Sequence, residues 1–218
     1  MKVIAFNGSP RKDWNTATLL QHALQGAASQ GAETKLVHLY DYNYKGCVSC
    51  FSCKVKNGDS YGRCATGDDL LPFLREAAES AAILVGSPIY FGSMTGTTKS
   101  FLERLLFPYL VYDQNHSSLF KGKLPTGFIY TMGANESRVE SVGYPQSFRL
   151  MEGVLRRTFG SSEYLVVTDT YQFDDYTKYE TSGFDVEGKK KRKQEVFPQD
   201  CRRAFEMGAK LARQQEPK

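Results

Sequence analysis

The chain has 218 residues, 41% of them hydrophobic and 24% charged, which is long enough to bury a full core and too ordinary for a disordered or fibrous protein. Its net charge of +4 is modest, and the longest apolar stretches, such as residues 81–86, fall far short of a bilayer span. An N-terminus that enters a strand at once, with no charged segment leading into an apolar one, predicts no signal peptide and a cytoplasmic location.

In chain order, Val3-Ile4-Ala5-Phe6 predicts a strand over residues 2–6, and the periodicity beyond it predicts a helix over 16–30. Between them lies the turn SPRKDWNTAT, residues 9–18. A strand that ends in such a turn and opens a helix gathers unpartnered backbone N–H groups and hydroxyls around one small volume. The helix dipole adds about 0.3–1 kcal/mol for an anion held there. Ser9, Asn15, Thr16 and Thr18 supply short polar groups, and Arg11 a permanent cation with a planar donor fork. The turn carries neither G-x-x-x-x-G-K-[ST] nor G-x-G-x-x-G, so a single terminal phosphate suits it better than a triphosphate or a dinucleotide. An ordinary helix cap by Asn15 or Thr16 is the competing reading.

A second strand over 34–39 leads into residues 40–68, a connection of unusual length that holds four of the five cysteines. They read Cys47-x2-Cys50-x2-Cys53-x10-Cys64. Three cysteines at that pitch place thiolates on one side of a compact turn, and a fourth completes the complement of a [4Fe–4S] cluster. A redox-active or idle thiol group and a zinc site stay open from the residues alone. Asp68-Asp69 read as caps of a helix over 69–80. The strand over 82–86 then runs through Gly86 to Gly96 into a helix over 97–107, on which Lys99 and Arg104 read as solvated cations, with steering of a nicotinamide phosphate as the alternative. Small residues and Pro88 bracket Ile89-Tyr90-Phe91, as a loop needs when its backbone approaches a flat ring; aromatics plugging the core are the alternative.

After a strand over 126–130, Thr131-Met132-Gly133-Ala134 forms a third turn of small and polar residues. A helix over 145–159 and a strand over 164–168 come next. Residues 169–197 make a second overlong connection, rich in Tyr, Asp and Lys, suited to a lid or a subunit contact. Its run Lys189 to Lys193 has no interleaved aromatics and reads as a solvated face, so neither a nucleic acid nor a membrane is expected as partner. A helix over 198–214 closes the chain, with Cys201 as a small buried hydrophobe. Apolar strand runs without alternation predict a parallel sheet covered on both faces, and the β-α order predicts one doubly wound α/β domain over 1–218. Ligands of such sheets collect at the carboxyl ends of the strands.

Asn7-Gly8-Ser9-Pro10-Arg11-Lys12 with Asn15-Thr16, followed by Ser87-Pro88-Ile89-Tyr90-Phe91 with Met94-Thr95-Gly96 and Lys99, resembles the flavodoxin-like NAD(P)H-dependent FMN oxidoreductases. The resemblance is to the branch that includes iron-sulfur flavoproteins. It implies a flavodoxin-like five-stranded parallel sheet in the order 2-1-3-4-5 and a homodimer or dimer of dimers. It implies an FMN phosphate held by Ser9, Arg11, Asn15, Thr16 and the N–H groups of the first helical turn through Ala17. The ring would lie against Pro88, Ile89, Tyr90 and Phe91, with Gly92 and Thr131, Met132 and Gly133 near its polar edge. Hydride from NAD(P)H would then pass through FMN to a quinone, flavin or similar small acceptor by ping-pong exchange. The same resemblance makes Cys47, Cys50, Cys53 and Cys64 candidate [4Fe–4S] ligands, although the last gap is longer than the family's. A flavodoxin-type or iron-sulfur electron carrier and a cysteine-based redox sensor are the alternative functions.

Overall fold

The computed structural model of the chain describes residues 1–214, so the tail of the expected 1–218 unit, residues 215–218, lies outside the described residues. β1 (Lys2–Asn7) is buried from Val3 onward because each of its faces meets a core: Val3 and Ala5 enter one apolar cluster, Ile4 and Phe6 the other. A strand in that position has no solvent side, which is why its sequence runs apolar without alternation. α1 (Asn15–Ala28) crosses to β2 (Glu33–His38), and α2 (Leu71–Glu79) leads to β3 (Ala82–Tyr90). β3 outruns its expected end at 86 because its last residues pair antiparallel with the short β4 (Ser93–Met94) ahead of α3 (Gly96–Leu106). β5 (Thr126–Thr131), α4 (Glu136–Ser141), α5 (Tyr144–Phe159), β6 (Ser162–Val167), α6 (Val186–Glu195) and α7 (Phe197–Arg213) complete the order.

The strands lie β2-β1-β3-β5-β6, every neighbouring pair parallel, with β4 attached to β3 alone. With β4 set aside this is the expected order 2-1-3-4-5. Leu19, Leu20 and Ala23 of α1 join Ala204, Met207 and Leu211 of α7 over one face. Phe101 and Leu105 of α3 join Phe148, Leu155 and Phe159 of α5 over the other. Each such Leu or Phe contributes about 1.5–3 kcal/mol by leaving water. α1 and α7 approach very closely: a Cβ on Gly26 would stand 1.9 Å from the Phe205 carbonyl oxygen, and one on Gly208 1.7 Å from that of Ala23. Cys201 is buried in this layer, as expected.

Residues 169–197 differ from the open connection the sequence predicts, for they contain α6. Asp185 starts that helix by accepting the Gly188 N–H at 2.9 Å. The lysine run lies along it, and the solvated reading fails at two positions: Lys189 is buried and Arg192 pairs with the buried Asp200 at 2.9 Å, whereas Lys190, Lys191 and Lys193 are exposed. Among the described residues no helix is long and apolar enough to cross a membrane.

Candidate functional site

β1 ends at the wholly buried Asn7, whose Oδ1 accepts the Ser9 N–H at 3.1 Å and whose Nδ2 meets His38 Nδ1 at 3.0 Å. Gly8 comes next because nothing larger fits: its N–H donates to Gly86 O at 2.8 Å, and a Cβ there would stand 1.7 Å from Thr98 Oγ1. That close approach draws the turns after β1 and β3 together. Ser9 Oγ accepts the Arg11 N–H at 3.1 Å and steers the chain into α1. The helix opens at Asn15 behind Trp14, which makes no side-chain cap, so capping by Asn15 or Thr16 is not what these residues do. Asn15 Nδ2 donates instead to Tyr171 O at 2.8 Å, and Thr16 Oγ1 meets Thr131 Oγ1 at 2.8 Å. The first turn has neither a side-chain cap nor an acidic residue. An anion suits that end.

In the second turn Ile89 pairs with Met94 and Tyr90 with Ser93, which leaves Phe91 and Gly92 as the turn residues, at φ +49° and +86°. Two positive φ values in a two-residue turn favour Gly and Asn, so Phe91 is strained. Its side chain is fully exposed. The hairpin is braced on the first turn, since Ser87 Oγ accepts the Thr95 N–H at 3.0 Å and Thr95 Oγ1 donates to Gly8 O at 2.8 Å.

One cavity of about 150 Å³ is lined by Ser9, Arg11, Asn15 and Thr16, by Pro88, Ile89 and Tyr90, and by Thr131, Met132 and Gly133. The three turns named from the sequence therefore meet. Ala17, Phe91 and Gly92 do not line it: the Ala17 side chain is wholly buried, and the other two form the hairpin tip. The Met132 N–H is committed to Val167 O at 3.0 Å, so Met132 acts as a wall.

Trp14, Thr170 and Gln172 complete the lining and were not singled out from the sequence as cofactor residues. Arg11 Nη1 donates to Gln172 O at 2.5 Å and Trp14 Nε1 to Tyr171 O at 3.2 Å. Gln172 N–H in turn donates to Tyr176 Oη at 2.9 Å, within a group of packed Tyr171, Phe173, Tyr176 and Tyr179 rings. The aromatic content of 171–179 was the available signal. Lys189 secures this wall from behind, its Nζ donating to Gly133 O at 2.7 Å and pairing with Asp169.

The cysteine loop forms a separate site. Cys47, Cys50, Cys53 and Cys64 line one small cavity of about 20 Å³ together with Glu103 and Arg104 of α3. Ser49 and Phe51, at φ +53° and +56°, coil the chain on either side of Cys50, and a 3-10 turn over Ser52–Lys54 buries Cys53. The long gap folds back on itself, Gly62 N–H donating to Cys53 O at 3.0 Å. Hydrogen bonding from the Ser52 backbone draws the Cys50 thiol down in pKa, whereas burial pushes Cys53 up.

Two sequence readings are corrected here. Arg104 is 2% exposed rather than solvated: it pairs with Asp68 and donates to Thr66 O at 2.9 Å, Lys45 O at 3.3 Å and Cys64 Sγ at 3.3 Å. α2 starts at Leu71 without a side-chain cap, so Asp68 and Asp69 have other work. Asp68 takes Arg104 and the Leu70 N–H, and Asp69 accepts the Asn43 N–H at 2.9 Å. All four thiols are free. Among the described residues no three such ligands could hold a single metal ion as they stand. Four cysteine thiols lining one cavity are the ligand type and number that a [4Fe–4S] cluster would use, one cysteine to each iron.

A family model described as NADPH-dependent FMN reductase matches residues 1–145, the stretch that carries all three turns and the four clustered cysteines. An iron-sulfur flavoprotein of Methanocaldococcus jannaschii is 36% identical over 104 residues, 48% of this chain and 51% of that protein. One from Archaeoglobus fulgidus is 31% identical over 144 residues, 66% of this chain and 60% of that protein. The chain thus spans about half the length of the curated relatives it matches. An NAD(P)H:quinone oxidoreductase from Methanothermobacter marburgensis superposes with a TM-score of 0.70 over 97% of this chain and 98% of its own, at 13% identity, a likeness of fold. With a matching model over more than half of its length, and the sheet order and converging turns already described, the chain belongs to the NADPH-dependent FMN reductase family.

Proposed function

We propose that the protein is an FMN-dependent NAD(P)H oxidoreductase that delivers electrons to a small acceptor of quinone or flavin type. One observation carries the reading: the turns after β1, β3 and β5 converge on an uncapped helix N-terminus beside Arg11. Ser9, Arg11, Asn15, Thr16 and the first-turn N–H groups through Ala17 hold the phosphate, with Arg11 and Asn15 exchanging the carbonyls of Gln172 and Tyr171 for its oxygens. The cavity of about 150 Å³ is smaller than a whole-ligand pocket, so it takes the tail of the cofactor. Pro88, Ile89, Tyr90, Phe91 and Gly92 then lie along the ring, and Thr131 to Gly133 at its polar edge. FMN, when bound, supplies the hydride chemistry itself, so the chain needs no acid-base triad. Nicotinamide and acceptor would stack in turn on the open face of the flavin, with the exposed Tyr90 and Phe91 at its border, and that shared place is the basis of the ping-pong reading. The reading takes the chain as one flavodoxin-like unit working in the cytoplasm as a homodimer or a dimer of dimers.

Arg11→Ala with Thr16→Ala is expected to abolish FMN retention while leaving the far-ultraviolet dichroism unchanged. Undiminished FMN affinity in a flavin-fluorescence titration overturns the site. Anaerobic mixing with NADPH is expected to bleach the flavin band within the mixing experiment, whereas a one-electron carrier leaves it unbleached.

A second reading has its own observation, the four thiols around one cavity. Cys47, Cys50, Cys53 and Cys64 would hold a [4Fe–4S] cluster, which supplies one-electron transfer when bound. The chain would then pass electrons singly to a further partner. Anaerobically prepared protein is expected to contain iron and acid-labile sulfide, and Cys64→Ser to lose both; no iron in the parent chain removes this reading.

A further inference from the structure

Resting on the cluster reading, we propose that Arg104 positions Cys64 as the fourth ligand and sets the cluster's potential through the hydrogen bond from its Nε to the Cys64 sulfur. The bond is 3.3 Å long and comes from a guanidinium that is almost wholly buried. A buried ion pair is weak evidence of stabilisation, because a well-packed apolar side chain often serves a core as well. What singles out Arg104 is where its donors go. Beyond Asp68 they reach Lys45 O, just ahead of Cys47, and Thr66 O, just after Cys64. One side chain thus grips both mouths of the cysteine loop and one of its sulfurs. Its neighbour Glu103 takes the Cys47 N–H at 3.2 Å, so adjacent residues of α3 hold the first and last cysteines.

This grip also accounts for the long gap before Cys64. The excursion over residues 54–63 is closed at its base by the bond from Gly62 N–H to Cys53 O, and Arg104 fixes the chain from Cys64 to Thr66. The length of the excursion then has no bearing on where Cys64 stands. A lysine cannot replace the guanidinium fully, since a single ammonium does not span four separate acceptors. When Cys64 is a ligand its sulfur carries negative charge, and both the donor and the positive charge favour the more negative, reduced cluster. Asp68 opposes this by neutralising the same guanidinium.

The test uses the full chain reconstituted anaerobically with ferrous iron and sulfide, read by iron and sulfide content and by a redox titration followed by electron paramagnetic resonance. Arg104→Gln is expected to take up less iron than the parent and, in the cluster it does hold, to move the midpoint to more negative potential, and Arg104→Lys to recover part of both. Asp68→Asn is expected to move it the other way. A merely structural role would loosen the loop in both cases and shift both alike. Unchanged midpoints at full iron content, or shifts of the same sign, overturn the assignment of Arg104 and leave the cluster reading intact. A parent chain that takes up no iron overturns both. Should Arg104→Gln fail to fold, Asp68→Asn decides alone: a positive shift supports the proposal, and no shift or a negative one overturns it.

Discussion

Phe91 holds a left-handed conformation that costs a residue with a Cβ about 1–2 kcal/mol, and it does so at the tip of a hairpin with its ring in solvent. Asn tolerates that conformation, so Phe91→Asn is expected to raise the unfolding free energy by about 1 kcal/mol and to raise KM for the nicotinamide several-fold. A variant whose melting temperature and KM both stay put removes the ring from the site. Lys189 gives a second test at this scale. Lys189→Met withdraws the bond to Gly133 O and leaves Asp169 without its cation, a change of about 1.5–3 kcal/mol for a hydrogen bond to a charged group. It is expected to weaken FMN binding, whereas Lys190→Met, on the exposed side of the same helix, leaves it alone. Equal effects from the two would detach α6 from the pocket. The meeting of the three turns was legible because each carries small and polar residues at the carboxyl end of a parallel strand, where such sheets gather ligands. The roles of Lys189 and Arg104 were not, because each is one of several similar cations and only packing turns it inward.

Among the elements, the helices of the α1–α7 layer pack at the distance glycine allows. Gly208→Ala is expected to cost about 1–3 kcal/mol in urea denaturation, because its methyl would meet the Ala23 carbonyl. Gly153→Ala on α5 adds a methyl where nothing lies within 4 Å and is expected to stabilise by about 0.5–1 kcal/mol through helix propensity. The opposite signs separate close packing from propensity, and equal signs would contradict the layer. The main strands were readable as apolar runs, since a central parallel strand has no wet face. α6 was not, because it buries one side chain and is held by its Asp185 cap, by Lys189 and by the Arg192–Asp200 pair rather than by an apolar stripe. β4 is too short to carry a pattern, and it exists because the end of β3 turns back on itself.

Across the whole molecule, Glu76 on α2 joins the two strands at one edge of the sheet by pairing with Lys2 of β1 and Lys35 of β2. Burial alone would raise its carboxyl, but the hydrogen bonds from the two lysines outweigh burial and hold it below the usual value. A depressed folded-state pKa gives stability that is complete above the unfolded value and lost as pH falls through the folded one. Glu76→Gln is therefore expected to be less stable than the parent at neutral pH and equal to it in acid below the folded-state pKa, by urea denaturation at both. A difference that persists in acid would point to packing instead of charge. The sequence by itself determined the sheet class, the residue chemistry of the three turns and the four-cysteine set, because strand burial and ligand chemistry each leave a local signature. Only the tertiary structure decided which cations are buried, that residues 170–172 wall the pocket and that Cys64 returns beside Arg104. Those outcomes depend on segments distant along the chain meeting at one sheet edge, and no local pattern encodes such a meeting.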